Sequence, residues 1–162
     1  MVLKVLFLDI DGVLLPFPKE SSASGDADAL FPASTVEALG VLLRETKAKV
    51  VLSSTWRVRE DFIRDIVDCI RGFGIDFDGF FDTTDPNMHS ERQWEIHRWL
   101  SDHQPRYGEI IWIALDDEDL IEGEANTRYR DTFRGHVVRT ESHKGLTKND
   151  VANAVKLWKL QL

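Results

Sequence analysis

The chain has 162 residues, 43% of them hydrophobic, a single cysteine and a formal charge of −8. That size suits one domain over residues 1–162 with a sizeable core, and no apolar run approaches the roughly 18 residues that would span a bilayer. The negative charge disfavours nucleic-acid binding by bulk electrostatics, and a lone Cys69 excludes an internal disulfide and makes a reducing cytoplasm the simplest home.

One lysine and a strand-like segment open the chain, with no signal-peptide pattern. Val2, Leu3, Val5, Leu6, Phe7 and Leu8 do not alternate with polar residues, which predicts a strand buried on both faces. It closes on Asp9-Ile10-Asp11-Gly12. Side chains in extended backbone repeat every second residue, so Asp9 and Asp11 point roughly the same way before Gly12 lets the chain turn. Two like charges at the edge of a core are costly unless a divalent cation or a shared proton compensates them. Pro16 to Asp28, rich in Ser, Gly, Asp and Pro, reads as a loop or flap. Pro32 opens a helix through Lys47, with Val36, Leu39, Leu42 and Leu43 inward, and Lys49 to Ser53 follows as a second strand. The next helix, from about Arg59 to Arg71, carries Phe62, Ile63, Ile66, Val67 and Ile70 and ends at Gly72 and Gly74, with Cys69 as a small core residue. Ser90 caps a third helix to about His103. Glu109 to Leu115 and His136 to Arg139 read as strands. Thr147-Lys148-Asn149-Asp150 resembles a capping box with Asp in place of Glu and opens a last helix to Leu160.

Alternating strands and helices imply an α/β fold with a mostly parallel sheet and helices on both faces, and such sheets bind ligands beyond the carboxyl ends of their strands. Asp9 and Asp11 follow the first strand, Ser53-Ser54-Thr55 the second, and Asp116-Asp117 the third. Hard oxygen ligands without a Cys or His motif at metal spacing suit Mg²⁺ rather than zinc. Arg92 shares a face with Ile96, Trp99 and His103 on the third helix. A cation in the first turn opposes the helix dipole by about 0.3–1 kcal/mol, which is reasonable if an anion waits at the sheet edge; the alternative is a salt bridge to Glu91, Glu95 or another acid. The clusters Arg57 with Arg59, and Arg128 with Arg130 and Arg134, read as solvated surface. No glycine-rich phosphate loop occurs.

This ordered set resembles the haloacid dehalogenase (HAD) superfamily of Mg²⁺-dependent phosphatases and phosphotransferases. Its first motif matches Asp9-Ile10-Asp11-Gly12, its second Val50-Val51-Leu52-Ser53, its third the cation Arg92, and its fourth Asp116-Asp117. The third motif is more often lysine, and Lys144, which would break the order, is the other choice. More narrowly, Leu52-Ser53-Ser54-Thr55-Trp56-Arg57, Glu95-Ile96 with Trp99-Leu100, Trp112-Ile113-Ala114-Leu115-Asp116-Asp117 and Gly145-Leu146-Thr147 look like the small HAD domain of "Swiss army knife" RNA-repair proteins. That likeness implies a role in end processing, such as removing a terminal phosphate.

The resemblance implies a Rossmann-like three-layer sandwich and a mechanism. Asp9 attacks phosphorus to give an aspartyl-phosphate, and Asp11 protonates the leaving oxygen and then deprotonates water. The Asp9 and Asp116 carboxylates and the Asp11 backbone carbonyl hold Mg²⁺, with Asp117 either a further ligand or a neighbour of the ligands. Ser53, preferred to Ser54 because it directly ends the apolar run, binds a phosphate oxygen together with Arg92, and Ser54 and Arg57 are further substrate-binding candidates. The intervals Leu14 to Phe31 and Phe73 to His89 are too short and polar for a large cap domain. An open site favours a bulky phosphorylated substrate such as a polynucleotide end or a phosphoprotein. Trp56, Arg57 and Arg59 are placed to stack on and bind such an end, unless Trp56 packs in the core. The rival expectation is a catalytically silent HAD-like domain that binds a partner. A phosphoacceptor receiver domain fits poorly, because its acceptor Asp follows a later strand. The oligomeric state is not legible.

Overall fold

The computed structural model describes residues 2–18, 30–86 and 91–162. Its strands are Leu3–Leu8 (β1), Lys49–Leu52 (β2), Asp82–Thr83 (β3), Ile110–Asp116 (β4) and Val137–Arg139 (β5). The helices are Ala33–Thr46 (α1), Glu60–Gly72 (α2), Arg92–Tyr107 (α3), Arg130–Phe133 (α4) and Lys148–Leu160 (α5), with short 3₁₀ turns at Thr55–Val58 and Glu124–Asn126. All five strands pair in parallel in the order β3-β2-β1-β4-β5.

The apolar runs of β1 and β4 become the centre of this sheet because both of their faces are covered. Leu6, Leu8, Val50, Leu52, Ile113 and Leu115 share one core with α1, α2 and α5. Val5, Phe7, Val51, Trp112 and Ala114 share the other with Ile96 and Trp99 of α3 and Phe133 of α4. The result is a Rossmann-like, three-layer α/β fold, and no large cap accompanies it among the described residues. No helix among them is long and apolar enough to cross a membrane.

Several boundaries differ from the sequence expectation for identifiable reasons. The helix expected to end near His103 runs on to Tyr107, with Pro105 in its last turn, and stops where Gly108 adopts φ +73°. Its expected cap, Ser90, lies outside the described residues, as does most of the Pro16–Asp28 flap. The strand β3 was not expected, since two residues without an apolar run carry no periodic signal. The Thr147–Asp150 capping box forms in full: Thr147 Oγ1 accepts from the Asp150 amide, and the Asp150 carboxylate accepts from the Thr147 amide.

Candidate active site

The register of the sheet places four polar residues in one row. Leu8 pairs with Leu52 and with Leu115, and Leu52 pairs with Thr83. The next residue of each strand continues the ladder: the amides of Asp9, Ser53 and Thr84 donate to Leu115, Leu8 and Leu52 carbonyls at 3.1, 2.9 and 3.0 Å. Thr84, Ser53, Asp9 and Asp116 therefore stand side by side at the carboxyl edge. Side chains alternate along strands, so all four face the α3 side, and Asp9, Ser53 and Asp116 lie two residues beyond Phe7, Val51 and Ala114 of that core.

Asp9 is 5% exposed and Asp116 2%. With Asp117 they offer carboxylate oxygens that all lie within 4.8 Å of one another. Burial pushes the Asp9 carboxyl up to about 6, with Arg92 opposing and the charge of Asp117 adding to the rise. Burial and then the neighbouring Asp9 raise Asp116 well above the usual carboxylate range. Two turns hold the third acid in place. Gly12 adopts φ +78°, and a Cβ there would sit 2.3 Å from Asp117 Oδ2, so only glycine lets Asp117 come this close. On its other side, Ser142 Oγ donates to Asp117 Oδ2 at 3.0 Å.

Arg92 enters from the first turn of α3. Its Nη1 lies 2.8 Å from Asp116 Oδ2 and 3.2 Å from Asp9 Oδ1, and its Nε lies 3.5 Å from Glu95 Oε2. Burial works against the Arg92 charge, but Asp116, Asp9 and Glu95 outweigh it and hold the guanidinium firmly protonated. Of the sequence alternatives, the salt bridge is present: Arg92 pairs with Glu95 and with the acids Asp9 and Asp116 at the sheet edge. Lys144 is exposed and paired with Glu141 at 3.0 Å.

Arg57 departs from the expectation of solvated surface. It is buried, donates to Glu95 Oε1 at 2.9 Å and to the Ser54 carbonyl at 2.8 Å, and reaches the Asp85 carbonyl. The reason is the buried Glu95, which receives Arg57 on one oxygen and faces Arg92 with the other. Burial raises the Glu95 carboxyl while both arginines act to lower it. Its neighbour in the sequence cluster, Arg59, is exposed and forks onto Asp61.

The tandem serines divide their work. Ser54 Oγ accepts from the Trp56 amide and caps the 3₁₀ turn, whereas Ser53 Oγ is buried with no hydrogen-bond partner among the described residues. Thr84 Oγ1, next in the row, is in the same condition. Sequence reasoning missed Thr84 because nothing near it announces a strand. Trp56 packs against Phe31 and Phe62 and donates its indole N–H to both oxygens of Asp11. Asp11 is thereby turned to Trp56, and its carboxylate is not one of the three clustered acids.

A cleft of about 720 Å³ lies at the other end of β2, lined by Arg44, Lys47, Lys49 and Asp78 among others, and contains none of the row. The row and its neighbours bring together three clustered acids, two buried hydroxyls without a partner among the described residues and one guanidinium. Three carboxylates without nitrogen or sulfur suit a hard divalent cation, so the acids fit a metal. A search of curated proteins finds no match to the chain. The family model described as the HAD domain in Swiss Army Knife RNA repair proteins matches residues 5–151, which takes in β2 to β5, most of β1 and all of the row. The chain therefore belongs to that phosphatase-type HAD family.

Proposed function

We propose that the protein is a Mg²⁺-dependent phosphomonoester hydrolase acting through Asp9 on a bulky substrate, best a polynucleotide end. The observation that carries this reading is the row itself: Asp9 lies between Ser53 and Asp116, with Arg92 within 3.2 Å.

Asp9, Asp116 and Asp117, with the Asp11 carbonyl that the family resemblance adds, would hold Mg²⁺. When bound, the ion supplies positive charge to the phosphoryl oxygens and offsets the repulsion among the acids. An Asp9 carboxylate oxygen attacks phosphorus, a new P–O bond forms, and the bond to the leaving oxygen breaks. Asp11, held by Trp56, gives that oxygen its proton. Water then attacks phosphorus, Asp11 takes the water's proton, and inorganic phosphate leaves with Asp9 restored. Arg92 and the Ser53 hydroxyl donate to phosphoryl oxygens throughout, where charge is greatest. Asp9 must be ionised to attack, and a pKa near 6 leaves it so at neutral pH.

The test is phosphate release from a small aryl phosphate and from a 3′-phosphorylated oligonucleotide, with Mg²⁺ or EDTA, for the native protein and Asp9→Asn. Release that needs both metal and Asp9 is expected. Near-native release by Asp9→Asn would overturn the nucleophile assignment. No release from either substrate by folded protein would favour the silent, binding-only alternative.

A further inference from the structure

Across α3 from Arg92 lies a group of rings that the proposed chemistry does not use. Trp94 and His97 of α3 and Tyr129 of the segment between β4 and α4 are all half-buried. Their planes are within 24° of one another, and His97 stacks on Tyr129 at 3.7 Å. The Arg128 guanidinium lies 5.2 Å from both the Trp94 and Tyr129 ring centres. Burial and the Arg128 charge hold the His97 imidazole below its usual pKa, so Arg128 is the charge of the group.

Two features argue that this is more than packing. Arg128 is exposed and forms no ion pair among the described residues, although acids are near in sequence. Two of those acids are engaged elsewhere: Glu122 faces Arg130 and Arg134, and Asp131 pairs with Arg134 at 2.7 Å. The group is also fastened to the candidate active site. Gln93, adjacent to Arg92, donates to the Leu120 and Asn126 carbonyls and accepts from the Tyr129 amide. The loop that starts at the acids is thus tied to the helix turn that delivers Arg92.

We propose that Trp94, Tyr129 and Arg128 form a stacking platform for a base of a single-stranded nucleic acid whose terminal phosphate sits at Asp9. This rests on the polynucleotide reading of the site. Aromatic faces bind any base, and a free guanidinium complements the phosphodiester, so a chain of net charge −8 can hold a polyanion without a broad basic surface. Residues 92 and 94 are about 200° apart around a helix, so the platform and Arg92 are separated by the width of α3, on the order of 10 Å. The platform therefore takes a base upstream of the terminal nucleotide.

The experiment compares hydrolysis of an aryl phosphate, a nucleoside 3′-monophosphate and a 3′-phosphorylated hexanucleotide by the native protein, Trp94→Leu and Arg128→Gln. The exposed Arg128→Gln change guards against misfolding of the tryptophan variant. The expected result is a KM for the hexanucleotide raised about tenfold in either variant, with both short substrates unchanged. A unchanged hexanucleotide KM would overturn the platform, as would equal losses on all three substrates, which would make the rings structural. If the native protein cleaves the aryl phosphate but favours neither nucleic-acid substrate, the polynucleotide reading fails first and takes the platform with it.

Discussion

Trp56 donates its indole N–H to both carboxylate oxygens of Asp11, at 3.2 Å each. The ring is wedged between Phe31 and Phe62, so the donor cannot swing away without breaking aromatic packing. Trp56→Phe keeps most of the packing and deletes the donor. A hydrogen bond to a charged group contributes about 1.5–3 kcal/mol, so a fall in kcat of roughly tenfold or more is expected where Asp11 must protonate the leaving group. An alkyl phosphate should show that loss, and an aryl phosphate with a good leaving group much less of it. Equal losses on the two would mean that Trp56 does not act through Asp11.

The Arg57–Glu95 pair has a different consequence from its neighbour Arg59–Asp61. Both side chains of the first pair are about 5% exposed, whereas those of the second are half exposed. Removing one partner of a buried pair strands the other charge, at a cost of about 3–5 kcal/mol. Denaturant unfolding should therefore show Arg57→Ala strongly destabilised and Arg59→Ala unchanged. Glu95→Gln should also weaken competitive inhibition by inorganic phosphate, because Arg92 loses the anchor at its Nε. Matching unfolding midpoints for the two arginine variants would show that Arg57 is not buried in solution.

What the sequence made legible follows from where each signal resides. Parallel strands covered on both faces are written as unbroken apolar runs, so β1, β2 and β4 were readable, and with them the edge where Asp9, Ser53 and Asp116 collect. Helices with an inward stripe were readable for the same local reason. Arg57 was not, because its burial depends on Glu95, 38 residues away and on another helix. Thr84 was hidden because β3 exists only through pairing with β2. Trp56 could be read as either core or surface; it is core on one side and a hydrogen-bond donor to Asp11 on the other.

Gly12→Ala tests the role of Asp117 without touching a carboxylate. The new methyl group would meet Asp117 Oδ2 at 2.3 Å and Cγ at 2.6 Å in a backbone conformation that L residues rarely adopt. Asp117 must then move, and the cluster loses one of three oxygens. Isothermal titration should show Mg²⁺ binding weakened at least tenfold, with Asp117→Asn giving a comparable loss. Unchanged Mg²⁺ affinity in both variants would remove Asp117 from the metal set.

Arg92 faces the same two carboxylates that a bound cation would use, so its removal should act in opposite directions on two ligands. Arg92→Ala deletes a positive charge held 2.8 Å from Asp116 and 3.2 Å from Asp9. Mg²⁺ should bind more tightly, because a competing cation has gone. Inorganic phosphate should bind more weakly, because its donor has gone. Parallel weakening of both would indicate instead that the edge has lost its structure.

The protonation of Asp9 fixes the direction of the pH response. Burial raises its carboxyl from 3.8 to about 6, so between these values the fold keeps a proton that the unfolded chain has released. Across that window the metal-free protein loses stability as pH rises, since the folded state binds the extra proton. A cation needs the carboxylate and must displace that proton. Mg²⁺ affinity should be nearly constant well above pH 6 and fall about tenfold per pH unit below it, and more steeply if Asp116, also raised, gives up a second proton. Calorimetry from pH 5 to 7.5 on the native protein and Asp9→Asn checks this, because the variant should lose the Asp9 contribution to the slope. A native affinity that stays flat down to pH 5 would mean that Asp9 is already ionised there and that burial at the end of β1 does not hold its proton.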